Sequence, residues 1–149
     1  MLDPIVDLAP GAEENDLATA LADVLRHNLR TNARAQKSFG AMRATVQFVA
    51  FDTTQTVTMR FDHGRVTIHE GNIGIPALTF CGDREAVLGL TSVPLSPWLA
   101  LPLPARPRDW AALRNLYRNL AAGRLIVYGF FSHARLATRV IRILSSRSA

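Results

Sequence analysis

The chain has a single cysteine, Cys81, among 149 residues. One thiol cannot form an intrachain disulfide, and a Cys-rich zinc site is excluded, so a reducing compartment is expected. Long apolar runs are also missing, because Arg or Asp interrupts every candidate before the roughly 18 to 20 residues a membrane-spanning helix needs. Charge of one sign is missing from each end. The first 25 residues hold six acids and no base, whereas Trp110 to Ala149 hold seven arginines and no acid. An acidic start is the reverse of a secretory signal, so the expectation is a cytoplasmic protein with at most peripheral contact at the inner face of the membrane. The cationic end suits anionic partners, either phospholipid headgroups or nucleic acid. Aromatic platforms interleaved with base are absent apart from Phe130-Phe131, which weighs against nucleic acid.

What is present is apolar content. At 48% hydrophobic and 19% charged, the chain suits a folded globule whose apolar share exceeds the needs of a plain core. Its length is that of a single domain. Residues 1–13, with Pro4 and Pro10, show no period and read as an irregular lead-in. Leu17, Leu21, Val24, Leu25 and Leu29 then recur at helical spacing behind Asn15 or Asp16 as N-cap. From Ala44 the period changes to two. Val46, Phe48 and Ala50, then Val57, Met59 and Phe61, then Val66 and Ile68 mark three strands. Asp62-His63-Gly64-Arg65 supplies a tight hairpin turn between the second and third.

Ala77 to Phe80 reads as a fourth strand, followed by a short helix capped by Asp83. Residues 91–107 carry five prolines interleaved with Trp98, Leu99, Leu101 and Leu103, which excludes regular structure and suggests a lid, with Trp98 and Leu101 as gate. A helix from Asp109 to Gly123 follows, then an apolar fifth strand, Leu125 to Tyr128, expected to be covered on both faces. Ser132 would cap a final amphipathic helix with Leu136, Val140, Ile143 and Leu144 on one side and Arg135, Arg139 and Arg142 on the other. The predicted fold is therefore α+β, with a five-stranded, mostly antiparallel sheet covered by helices.

Three pieces in this order carry a resemblance: Gly64-Arg65-Val66-Thr67-Ile68 in the central hairpin, Ala77-Leu78-Thr79-Phe80-Cys81-Gly82-Asp83 before Val87-Leu88-Gly89-Leu90, and Gly123-Arg124-Leu125-Ile126-Val127-Tyr128-Gly129 before an apolar helix. The chain in this respect resembles the sterol carrier protein type 2 family of lipid-binding domains, over about Ala44 to Leu144. It departs from that pattern at Ile75-Pro76 and in the length of the Pro-rich segment. Its end, Arg147-Ser148-Ala149, differs from the Ser-Lys-Leu peroxisomal address of some relatives. The resemblance implies an apolar tunnel for a fatty acyl, sterol-like or isoprenoid quinone ligand, and it allows a role as an accessory or interaction protein of a lipid or quinone biosynthetic complex.

Phe48, Met59, Phe61, Ile68, Phe80, Leu90, Trp98, Leu113, Leu116, Tyr117, Leu136 and Val140 are the expected lining, and Arg135, Arg139 and Arg142 the expected membrane or anion contact. Desolvation of an apolar chain, at about 25 cal/mol per Å², would supply most of the affinity. Each lining residue reads equally well as ordinary core. Enzymatic chemistry finds little support. His27, His63, His69 and His133 show no His-x-x-x-His spacing, and Cys81 at the end of an apolar strand reads as a small core residue. Gly71-x-x-Gly74 reads as a turn rather than a phosphate loop. The expectation is a non-catalytic carrier without cofactor or metal.

Overall fold

A computed structural model describes residues 3–92 and 109–145. Its sheet has six strands: β1 (Ile5–Leu8), β2 (Arg43–Ala50), β3 (Gln55–Asp62), β4 (Arg65–Glu70), β5 (Leu78–Gly82) and β6 (Leu125–Tyr128). Their order across the sheet is β1-β4-β3-β2-β5-β6. The five-strand expectation is corrected by β1, which pairs parallel to β4 with Val6 opposite Val66 and Leu8 opposite Ile68. Four residues between two prolines offer only two turns of alternation, and an edge strand with one open side needs no stronger signal. The β2–β3–β4 meander and β5–β6 are antiparallel, and β2–β5 is parallel.

The helices are α1 (Asp16–Thr31), α2 (Ala33–Gly40), α3 (Arg84–Leu88), α4 (Asp109–Ala121) and α5 (Ala134–Leu144). The Asn15 side chain caps α1 by accepting from the backbone N–H of Leu17 at 3.0 Å and Ala18 at 3.1 Å. Asn32 ends α1 and at once starts α2, accepting from Arg34 N at 3.0 Å and Ala35 N at 3.1 Å. Ala35 and Phe39 are the buried apolar residues of α2. The expected caps at Asp83 and Ser132 fall differently. Asp83 holds the N-cap position without a side-chain bond, and Asp52 from the β2–β3 turn accepts from Arg84 N at 2.8 Å instead. The N-cap of α5 is His133.

The hairpin turn is as the sequence predicts: His63 at φ 43° and Gly64 at φ 96° both lie in the left-handed region a two-residue turn requires. Gly82 matters for a different reason. A Cβ there would run into the Arg124 carbonyl, so only glycine lets β5 and β6 approach.

Alternation sorts the sheet into two faces. Inward go Val46, Phe48, Ala50, Val57, Met59, Phe61, Val66, Ile68, Leu78, Phe80 and Leu125, all buried against the helices. Helix α1 lies over β1, β3 and β4, and α5 packs on α1 and α2. Asn28 on α1 donates from Nδ2 to the carbonyls of Ile143 at 3.0 Å and Leu144 at 2.8 Å, capping the end of α5. The other face stays open along β6. Ile126 and Tyr128 are exposed, so the expectation that this strand is covered on both faces is corrected. An edge strand with two inward residues, Leu125 and Val127, gains enough burial from one face.

Between β4 and β5 the chain crosses the open face. Thr58 pins this crossing, donating to the Gly71 carbonyl at 2.6 Å and accepting from Ile73 N at 3.2 Å.

Candidate ligand-binding groove

Where β2 begins, the chain lies close to the connection from β6 into α5. The two bound a groove of about 680 Å³. Met42, Ala44, Ala77, Ala134, Phe131 and Leu136 contribute its apolar parts, Arg43, Arg135 and Arg139 its cationic ones, and Ser132 and His133 lie between them. Strand β2 sets Ala44 on the inward side, Met42 just before it is buried, and α5 turns Leu136 toward the same interior. Leu136 is half-buried and packs on the core, so the groove is continuous with the apolar layer beneath. Phe131 stands fully outside, in edge-to-face contact with Phe130 at 5.8 Å between ring centroids.

The expected lining residues divide by place. Phe48, Met59, Phe61, Ile68, Phe80, Leu90 and Val140 belong to one continuous buried cluster. Within it Phe48 and Phe80 stack at 5.2 Å and 10°, and Phe61 meets Phe39 edge-on at 6.0 Å. Leu113 on α4 is buried, Leu116 is half-buried against the core, and Tyr117 on the same helix is 54% exposed. Trp98 and Leu101, and with them the gate, lie outside the described residues. Of the eleven that fall among the described residues, only Leu136 touches the groove.

The three expected cations also separate. Arg135 and Arg139 line the groove, whereas Arg142 reaches sideways to α2 and donates to the Ser38 hydroxyl at 3.1 Å. Arg43, His133 and Met42 were not anticipated. Nothing in the local pattern marks them, because the groove exists only once β2 and α5, some ninety residues apart, are brought together.

Among the described residues no group of three His, Cys, Asp or Glu side chains is placed to hold a metal ion. Cys81 sits on the open face of β5 opposite Ile126, nearly buried. Burial pushes its thiol above the ordinary cysteine range, because the thiolate would lose water and gain no compensating charge. That is the reverse of an activated nucleophile. The groove can therefore bind apolar matter and attract anions, and Ser132 and His133 also border it.

No family model matches the chain, and no curated protein matches it. Among solved structures it is similar to a "UbiJ-SCP2 Ubiquinone synthesis protein", at 10% sequence identity and a TM-score of 0.57, over 89% of this chain and 98% of that one. The fold is SCP2-like. At that identity the likeness is one of backbone architecture, so it agrees with the sterol-carrier resemblance at the level of the helix-covered sheet and leaves the ligand to the residues of this chain. No described helix is long and apolar enough to cross a membrane.

Proposed function

We propose that the chain binds and carries a lipid-like apolar molecule without catalysing a reaction on it. The observation that carries this reading is the groove: an apolar floor continuous with the layer between sheet and helices, opening beneath Arg43, Arg135 and Arg139. An acyl or polyprenyl chain entering there would gain about 0.8 kcal/mol for each methylene removed from water. The arginines at the rim favour an amphiphile with an anionic or strongly polar head, and they favour approach to an anionic bilayer, at about 1 kcal/mol for each cation near the surface. Arg135 and Arg139 serve this contact; Arg142 is engaged with Ser38.

The buried residues Phe48, Met59, Phe61, Ile68, Phe80, Leu90 and Val140 would line the space a tail opens as it enters the core from the groove. Leu113 and Leu116 extend this wall from α4. An isoprenoid quinone or its precursor is the ligand class favoured by the structural neighbour's role in ubiquinone synthesis, together with a place beside the enzymes of quinone synthesis.

Uptake of a fluorescent fatty acid and of a fluorescent quinone analogue tests the reading. Leu136→Asp puts a charge on the groove floor and should weaken uptake at least about tenfold, because an apolar tail would have to strip water from a carboxylate to lie there. Removing all of α5 would be uninformative, since Val140, Ile143 and Leu144 are core. Unaltered uptake by a folded Leu136→Asp variant, or no uptake by the wild-type chain and no co-purifying apolar molecule in native mass spectrometry, refutes the proposal.

A further inference from the structure

The open face of the sheet holds a second concavity, about 630 Å³ in volume, built from β2, β3 and β4. Strand register fixes what lies across it. In one cross-strand row Arg60 stands between Thr45 and Thr67; in the next, Asp62 stands between Arg43 and Arg65. These side chains alternate with the inward Val46, Phe61 and Val66, so all share the outer face. Three guanidinium groups therefore occupy adjacent rows of three adjacent strands, with Arg60 diagonal to both others at a separation of roughly 7 to 8 Å.

The cluster neutralises itself only in part, because one carboxylate, Asp62, stands among three guanidinium groups. Arg43 and Arg60 make no ion pair or side-chain hydrogen bond among the described residues, and Asp62 makes no ion pair there either. Arg65 reaches Asp7 only at 3.9 Å, between side chains that are each more than half exposed. The pairs directly opposite, Arg43 with Asp62 and Asp62 with Arg65, are of opposite sign and favour the sheet, but Arg60 faces two threonines and has only like charges on its diagonals, and an uncovered arginine in a central strand adds nothing to the core. The hydroxyls of Thr45 and Thr67, on either side of Arg60, are half-buried in the same depression, and His69 closes it one row further on. Cationic forks flanked by hydroxyl donors match the tetrahedral oxygens of a phosphate.

We propose that this depression is an oxyanion site for a phosphate or diphosphate group, with Arg60 as its central ligand, Arg43 and Arg65 at its sides, and the Thr45 and Thr67 hydroxyls donating to the remaining oxygens. With Asp62 offsetting one of the three arginines, a net two positive charges remain, which exceeds the single charge of a carboxylate and suits a phosphate ester or diphosphate. The site is separate from the groove except through Arg43 and Ala44, which border both. It stands whether or not the interior takes a lipid.

Calorimetric titration of the full chain with inorganic pyrophosphate tests it, beside flotation with vesicles containing phosphatidate against vesicles of phosphatidylcholine alone. The expected result is saturable, salt-sensitive binding of at least one probe that falls about tenfold in Arg60→Gln, the loss expected for one or two charge-assisted hydrogen bonds. Arg114→Gln on the exposed side of α4 should leave it unchanged. Dependence on Arg60 with pyrophosphate assigns the site to a soluble phosphate compound, and with phosphatidate vesicles alone to a lipid headgroup; both support the site. Equal binding by wild type and Arg60→Gln, or binding of neither probe, overturns it. Should Arg60→Gln fail to fold, Arg60→Lys, which keeps the charge and loses the fork, is the variant to read, with several-fold weakening expected and unchanged affinity refuting the assignment.

Discussion

Replacing Asn28 should loosen α5 more than any other single change on α1. The side chain is 3% exposed and its Nδ2 donates to two carbonyls at the end of α5, 3.0 and 2.8 Å away. Asn28→Ala deletes both bonds, at about 1 kcal/mol each, and strands two carbonyls in an apolar setting that water can only partly reach. The expected loss is about 2 to 3 kcal/mol. Asn28→Asp keeps the shape and inverts the chemistry, since a carboxylate facing two carbonyl oxygens at the negative end of a helix dipole has no donor to share. Its loss should be larger, about 3 to 5 kcal/mol near neutral pH.

The aspartate variant also has a sign that can be checked. Its folded-state pKa would lie above the unfolded value, so its deficit is smallest below the unfolded pKa and grows as pH rises through the folded one. Urea unfolding followed by circular dichroism at pH 7 and pH 4 reads both effects. With a urea slope of about 1.5 to 2 kcal/mol per molar, the alanine variant should lower the midpoint by about 1 to 2 M. An alanine variant within about 0.5 kcal/mol of wild type, or an aspartate variant no worse than the alanine one, would refute the role assigned to Asn28.

Three further outcomes follow from the same contacts. Gly82→Ala drives a methyl group into the Arg124 carbonyl and should destabilise the β5–β6 pair by more than about 2 kcal/mol, visible as early amide exchange of residues 125–128 in hydrogen-exchange mass spectrometry; protection equal to wild type would show that the strands part without cost. Phe80→Ala removes a ring stacked at 5.2 Å on Phe48: an unfolding loss of about 3 to 5 kcal/mol marks a filled interior, and a loss below about 1.5 kcal/mol marks a wall facing space. Cys81, its thiol raised by burial, should react with iodoacetamide at pH 8 at least several-fold more slowly in the folded chain than in urea, and equal rates would contradict the assigned environment.

Much of the fold is legible in the residues because period-two and helical spacing are local properties. Met59 and Phe61 alternate with Thr58 and Arg60, and that alone separates the inner face from the outer one. Two elements escape such a reading for physical reasons. Strand β1 is too short to show a period, and α2 buries only Ala35, Ser38 and Phe39, too few to reveal a helical stripe. The groove is less legible still. Leu136, Arg135 and Arg139 come from the amphipathic pattern of α5, but their neighbours Met42 and Arg43 join them only through tertiary closure. The arginines of the open face read individually as polar residues of a strand; their adjacency is a matter of register, which no one strand encodes.

The bond from Asn28 to Ile143 joins residues 115 positions apart. During synthesis at roughly 5 to 20 residues per second, α1 leaves the ribosome many seconds before the helix that seals it. Its leucine stripe can meet the β2–β3–β4 meander in that interval, yet the side awaiting α5 stays bare until the last turn of α5 arrives. A growing chain of this design is therefore sticky for most of its birth, and the nascent polypeptide, more than the finished protein, is where a chaperone would find it.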